Sequence, residues 1–322
     1  MKIIVTLAML VLYACNEPQV NAQHVAVNTN EDSELEIELD IPEIDIKIPN
    51  FNFNFNYDGV NWEDDYELKD KKDIHQEYDA QSMSLYNLNG EIKIVSHSGN
   101  KIIVDITQTI SAANEADLAK GKSEVKLGAD EGSDLVLYTA FPYDTRPKDY
   151  SNNNNHKNKI PYNLELDYTI KVPQNTSVVL STVNGDVHVA NVDGKLNINS
   201  VNGDILAEAA NYVEKAHTVN GDITVEVANG QKDGSFHTIN GDINFSGPES
   251  LSAACKFKSM QGDLYTDYEN FTKLDATEKS EETKKGKKQF RLNKTDGIVI
   301  GNGTSKINFE TLNGDVYIKR IK

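Results

Sequence analysis

The tripeptide Asn-Gly-Asp stands at residues 184–186, 202–204, 220–222, 240–242 and 313–315, with Gln261-Gly262-Asp263 as a variant and Asn89-Gly90-Glu91 as an outlying relative. Its central glycines follow one another at intervals of 18, 18, 20 and 21 residues from Gly185 to Gly262, and of 52 from there to Gly314. Recurrence at a short, nearly fixed period marks a repeat architecture, in which one small unit is stacked on its copies. No unit of that size can bury an apolar face alone, so several coils must stack before the body is stable.

The flanks recur with the glycine. Thr182, Ser200, Thr218, Thr238, Ser259 and Thr311 stand three positions before it, and Val183, Val201, Val219, Ile239, Met260 and Leu312 two before it. Val187, Ile205, Ile223, Ile243, Leu264 and Val316 stand two after it. Apolar residues at even offsets and polar ones at odd offsets predict a strand buried on its even face. A two-residue Asn-Gly hairpin would put Val183 on the same face as Asp186 and break that pattern. A bend that preserves parity does not, and glycine suits such a corner because it accepts positive φ and lets backbones approach closely.

The fold class these observations predict is all-β, a single-stranded β-solenoid of about 18–21 residues per coil. Its structural turns would be Asn184-Gly185, Asn202-Gly203, Asn220-Gly221, Asn240-Gly241, Gly262 and Asn313-Gly314. The alternative is an antiparallel β-meander or sandwich with three-residue turns. Weaker turn signals at Asp193-Gly194 and Asn229-Gly230 each lie nine residues past a repeat glycine and predict a second, opposed bend in each coil. Residues 272–290, TKLDATEKSEETKKGKKQF, are densely charged and read as a loop or hairpin extruded from the stack.

Several segments resemble the bacterial domains of unknown function that carry an adhesin label. Those segments are Thr182–Val189, the Ser-Val-Asn-Gly-Asp-Ile copies, Thr311–Ile318, the opening Asn87–Ile94 with Lys101–Asp105, and Tyr168–Pro173. The resemblance spans about residues 82–320 and implies an exported β-solenoid of no established activity.

Stacked coils would set the aspartates after the repeat glycines in a column. At the ~4.8 Å strand spacing, neighbouring carboxylates repel by about 0.9 kcal/mol in water and more in a less polar setting, so they must stay wet, accept hydrogen bonds or bind cations. Asp186, Asp204, Asp222, Asp242 and Asp263 are therefore the candidate metal ligands, with calcium the cation that hard oxygen donors would select. The competing expectation is that each Asp accepts hydrogen bonds from turn N–H groups, leaving the protein with no cofactor. His217 and His237 share a position four residues before a glycine and are expected side by side on the solvent face. No HExxH, GxSxG, P-loop or paired CxxC motif occurs, so no catalytic residue is assigned. Cys255, in an apolar setting without a neighbouring His or Asp, reads as a small buried residue.

The N-terminus predicts export. Residues 3–14, IIVTLAMLVLYA, form an uncharged apolar run behind Lys2, too short to span a bilayer as a helix. Leu12-Tyr13-Ala14-Cys15 resembles a lipobox that would make Cys15 the lipidated first residue, and Val20-Asn21-Ala22 offers ordinary cleavage before Gln23. The favoured reading is a lipoprotein with a signal segment over 1–22, a lead-in over 23–81 and the solenoid domain over 82–322. The lead-in carries most of the charge: residues 31–80 hold 17 acids and 4 lysines, in a chain of 50 acids against 32 bases with a net charge of −18. Only three arginines occur, so a nucleic-acid partner is excluded and membrane contact is expected only through the lipid. The expectation is thus a non-enzymatic envelope or surface protein that binds or scaffolds an envelope or extracellular protein or glycan. A polysaccharide-acting β-helix enzyme and a calcium-stabilised surface module are the alternatives.

Overall fold

A computed structural model describes residues 67–147, 160–228, 231–274, 279–284, 287–292 and 296–321. The signal segment, Cys15, the lead-in as far as residue 66 and the Asn229-Gly230 bend lie outside the described residues.

In chain order the strands are β1 (Leu68–Tyr78), β2 (Ser82–Tyr86), β3 (Ile92–His97) and β4 (Ile102–Ala112). The helix α1 (Glu115–Glu124) precedes β5 (Lys126–Asp130), β6 (Asp134–Phe141) and β7 (Tyr162–Pro173). Then come β8 (Ser177–Ser181) and β9 (Val187–Ala190), β10 (Lys195–Asn199) and β11 (Ile205–Ala210), and β12 (Tyr212–His217) and β13 (Ile223–Val227). The chain continues through β14 (Gly234–His237), β15 (Ile243–Gly247), β16 (Ala253–Gln261), β17 (Leu264–Thr266) and β18 (Phe271–Leu274). Last are β19 (Lys279–Lys284), β20 (Lys287–Leu292), β21 (Asp296–Ile300), β22 (Ser305–Asn313) and β23 (Val316–Arg320).

The protein is an all-β solenoid of two facing sheets. Each coil contributes one strand to each sheet, with the Asn-Gly-Asp corner between them. One sheet runs β1-β4-β7-β3-β9-β11-β13-β15-β23-β17, and the other β18-β21-β16-β22-β14-β12-β10-β8-β2-β6-β5. Neighbouring coils pair in parallel, as in Ile205↔Ile223 and Ile198↔Leu180, which a meander would not do. Among the described residues antiparallel pairing is confined to the ends of the two sheets and to the separate ribbon of β19 with β20.

The coils are not stacked in the order of the sequence. β22 lies between β14 and β16, and β23 between β15 and β17, so the last coil is inserted inside the stack. The 52-residue interval arises because the chain builds the terminal coil β16/β17, adds β18 and β21 beyond it, and only then returns. The other end is also out of order. β6 and β7 flank β2 and β3 on the outside, while β8 and β9 flank them on the inside.

The core fills the space between the sheets. Val187, Ile205, Ile223, Ile243 and Val316, two residues past the glycines, are all buried as their parity requires. Before the glycine the parity reverses. Thr182, Thr218, Thr238 and Thr311 are buried, while Val183, Val201, Val219, Ile239 and Leu312 are half-buried and Met260 exposed. The reason is the corner: β8, β10, β12 and β14 end four residues before glycine, and the bend turns the next side chain inward. Three of these threonine hydroxyls donate to the glycine carbonyl of the neighbouring coil, Thr218 to Gly203 at 3.1 Å, Thr238 to Gly221 at 3.0 Å and Thr311 to Gly241 at 3.2 Å.

β1 lies within the stretch that its charge assigns to the lead-in, yet it pairs with β4 along its whole length. It reads as linker because it is an edge strand. Its outer residues carry charge and meet polar partners on β4, with His75 at 2.6 Å from Asp105 and Asp73 accepting from Thr107 at 2.9 Å. Charged edges of this kind discourage pairing with other chains. α1 closes part of the same end, its Gly121 packed on Ile110 and Tyr162.

Candidate binding face

The corner fixes the geometry of everything outside it. Gly185, Gly203, Gly221, Gly241, Gly262 and Gly314 have φ between 140° and 154°. A Cβ on Gly203 would lie 2.3 Å from the Gly185 carbonyl oxygen, so the residue is required for both conformation and approach. Its N–H donates to the Asn220 carbonyl at 3.0 Å, and equivalent bonds join each corner to the next. The asparagines form a second ladder, in which Asn202 donates to Asn184 at 2.9 Å, Asn240 to Asn220 at 2.8 Å and Asn313 to Asn240 at 2.8 Å. The column of bridged positions runs Asn89, Asn184, Asn202, Asn220, Asn240, Asn313, and the Gly314 N–H donates to the Gln261 carbonyl beyond it.

The aspartates are engaged by the same corners. Asp186 accepts from the Asp204 N–H at 2.8 Å, Asp204 from Asp222 at 2.8 Å, Asp222 from Asp242 at 2.7 Å, Asp242 from Asp315 at 2.8 Å and Asp315 from Asp263 at 2.8 Å. A backbone N–H thus stands between successive carboxylates and offsets their repulsion. Asp263 closes the column: it gives its N–H to Asp315, and among the described residues no further coil supplies one to its own carboxylate. Among the described residues no group of three or more His, Cys, Asp or Glu side chains is placed to hold a metal.

His217 and His237 are neighbours but not on the solvent face. Both are buried, with rings stacked at 4.3 Å and 7°. Burial continues from Ala216 through Thr218 because the chain is rounding the inside of the bend. Desolvation, with His237 and Lys215 nearby, pushes the His217 pKa down to about 2 and keeps the ring neutral. Glu310 Oε2 lies 3.6 Å from His237 Nδ1, and burial raises its carboxyl pKa. Cys255 is in the core, its thiol pushed up to about 12 by burial, so it is not a nucleophile at neutral pH.

What faces outward is a set of straight rows. The third position after each repeat glycine gives Lys93, His188, Leu206, Thr224, Asn244, Tyr317 and Tyr265, paired in that order across the sheet. The row ends in two tyrosines stacked at 5.0 Å and 13°. Lys319 Nζ lies 4.8 Å from the Tyr317 ring centroid and donates to Asn244 at 3.0 Å. Tyr265, on the last strand of its sheet, is 47% exposed. Both phenols have raised pKa values, Tyr265 chiefly through the charge of Asp315 and Tyr317 through desolvation and its hydrogen bond to Asp315. A shallow cavity of about 390 Å³ adjoins the pair, lined by Ser246, Thr266, Asp267, Lys319 and Arg320 as well as the tyrosines. At the other end of the solenoid a cavity of about 370 Å³ opens between Ile74, Ile106, Leu127, Leu137 and Tyr168. Sequence reasoning missed the tyrosines, although their shared position three residues past Gly262 and Gly314 was there to be aligned.

Residues 165–319 match the family model described as Toastrack DUF4097. Comparison with curated proteins returns no match. Among solved structures the chain is similar to one described as a "putative cell adhesion protein" from Clostridium sporogenes, at 14% identity and a TM-score of 0.36, covering 78% of this chain and 100% of that one. It is similar also to a "putative adhesin" from Bacteroides fragilis, at 15% identity and a TM-score of 0.32, covering 78% and 97% of the two chains. A "putative adhesin" from Parabacteroides distasonis matches at 11% identity and a TM-score of 0.30, covering 79% and 97%.

Proposed function

We propose that this chain is exported, held at the cell envelope by lipid on Cys15, and works there as a non-enzymatic binding or scaffolding module. The observation that carries the reading is the outward face of the β9-to-β17 sheet, where rows of side chains stand at strand spacing on a backbone locked by the corner ladders. Such a face costs little ordering entropy when a ligand lies along it. The acidic segment upstream of the domain suits a spacer that keeps the face clear of the membrane, and its charge discourages self-association.

Metabolic labelling with a palmitate analogue tests the anchor. Wild type should incorporate label and fractionate with membranes, whereas Cys15→Ala should lose both. Label-free wild type in the soluble fraction would refute the anchor. Binding of the mature protein to isolated bacterial envelopes, unaccompanied by release of soluble sugar, tests the module. Steady release of oligosaccharide would instead establish an enzyme.

A further inference from the structure

The terminal edge of the outward face carries Tyr265 on the three-residue strand β17, with Asp263 immediately before that strand and Asp267 immediately after it, and all three residues are exposed. We propose that this edge is a glycan-binding subsite, with Tyr265 as the stacking platform for a pyranose ring and Asp263 and Asp267 as acceptors for its hydroxyls. The inference deepens the binding role proposed above and rests on it.

Three features of the site select a sugar. The ring planes of Tyr265 and Tyr317 are nearly parallel, and their 5.0 Å separation matches the spacing of their strands, so the rings stack along the solenoid axis. Tyr317 is covered by Tyr265 on one side and approached by Lys319. Tyr265 therefore turns one flat face past the end of the sheet. A single flat face suits the CH face of a sugar, whereas a quaternary ammonium is recognised by several rings set around it. The carboxylates supply the polar half. Asp263 lacks the N–H that every other member of its column receives, and both Asp263 and Asp267 are exposed. Asp267 is positioned by the Arg320 N–H at 2.8 Å, with the Arg320 guanidinium held in turn by Glu249 at 3.1 Å. Carboxylates in such positions accept pairs of hydroxyl groups without needing a charged ligand. The cavity of about 390 Å³ beside the tyrosines lies within the range of small-ligand sites. Strand addition by a peptide is disfavoured because β17 has only three residues to pair with.

Saturation-transfer NMR on the mature protein, with methyl β-glucoside, methyl β-galactoside, methyl α-mannoside and N-acetylglucosamine as probes, tests the subsite. At least one probe should show transfer to its ring CH protons, with a Kd on the order of 1 mM. Tyr265→Ala should reduce that transfer about fivefold or more, and Asp263→Asn with Asp267→Asn should weaken it. Lys195→Ala, exposed on β10 of the other sheet, should leave it unchanged. Circular dichroism of each variant separates loss of the site from loss of fold. No transfer from any probe, transfer unaltered by Tyr265→Ala, or displacement by choline at equal concentration would overturn the proposal. Those outcomes would leave the lipid anchor and envelope binding intact, so the two readings fail separately.

Discussion

At the corner of each coil, one hydrogen atom in place of a side chain sets how closely the next coil can lie. Gly203→Ala would push a methyl into the Gly185 carbonyl at a φ of 152°, and should cost about 3 kcal/mol in urea unfolding. Gly132→Ala, whose added Cβ would meet nothing closer than 3.8 Å, should change stability by no more than about 0.5 kcal/mol. His217 makes the protein acid-sensitive in a defined window. Its folded pKa of about 2 lies below the solution value of about 6.5, so between those limits the unfolded chain binds a proton that the folded chain refuses. Its contribution is therefore unimpaired above pH 6.5, is lost as pH falls, and amounts to about 2 kcal/mol of destabilisation at pH 5. His237, Lys215 and Glu310 face the same site, and the raised carboxyl pKa of Glu310 works in the opposite direction. His217→Phe should shrink the difference between urea midpoints at pH 7 and pH 5; an unchanged difference would count against this account. Calcium should have almost no effect on the melting temperature, because the Asp186, Asp204, Asp222, Asp242 and Asp315 carboxylates already accept backbone N–H groups, and a rise of several degrees would establish calcium ligation instead.

Elements differ in how far they support their neighbours. β19 and β20 pair only with each other, and Leu274 and Gly297 are register partners at the base from which they extend. Replacing residues 277–294 with a short Gly-Ser turn should therefore keep the melting temperature within a few degrees. Phe309 on β22 is the opposite case. It packs on Phe236 at 5.4 Å and on Phe245 at 5.7 Å where the last coil enters, and Phe309→Ala should cost about 3–5 kcal/mol. The coil, its corner glycines and the strand after each corner were legible in sequence because one residue pattern meets one backbone need. The strand before the corner was not, since Thr218 and Val219 exchange faces only when the bend is in place. The burial of His217 was hidden for the same reason. β1 was hidden differently: an edge strand with charge on its outer side has the composition of a linker. Nor could spacing alone show that Gly314 stacks between Gly241 and Gly262, because a long interval fits either an extruded loop or a return into the stack.

At the scale of the whole solenoid, the inward side chains of the coils are spent on packing and the outward rows are left for contact. Most of the chain's net charge lies upstream, in residues 31–66 with 12 acids and 1 lysine, so the exposed rows can meet an uncharged ligand without a strong opposing field. The insertion of β22 and β23 between earlier coils also governs when this stack can exist. Synthesis proceeds from the N-terminus, so the segment that emerges last fills an interior place. Until it arrives, β14 and β16 have no partner between them and the Phe236 cluster stays open. A chain exported as proposed above would thereby be kept from locking early, its core closing only once the last coil has followed the rest.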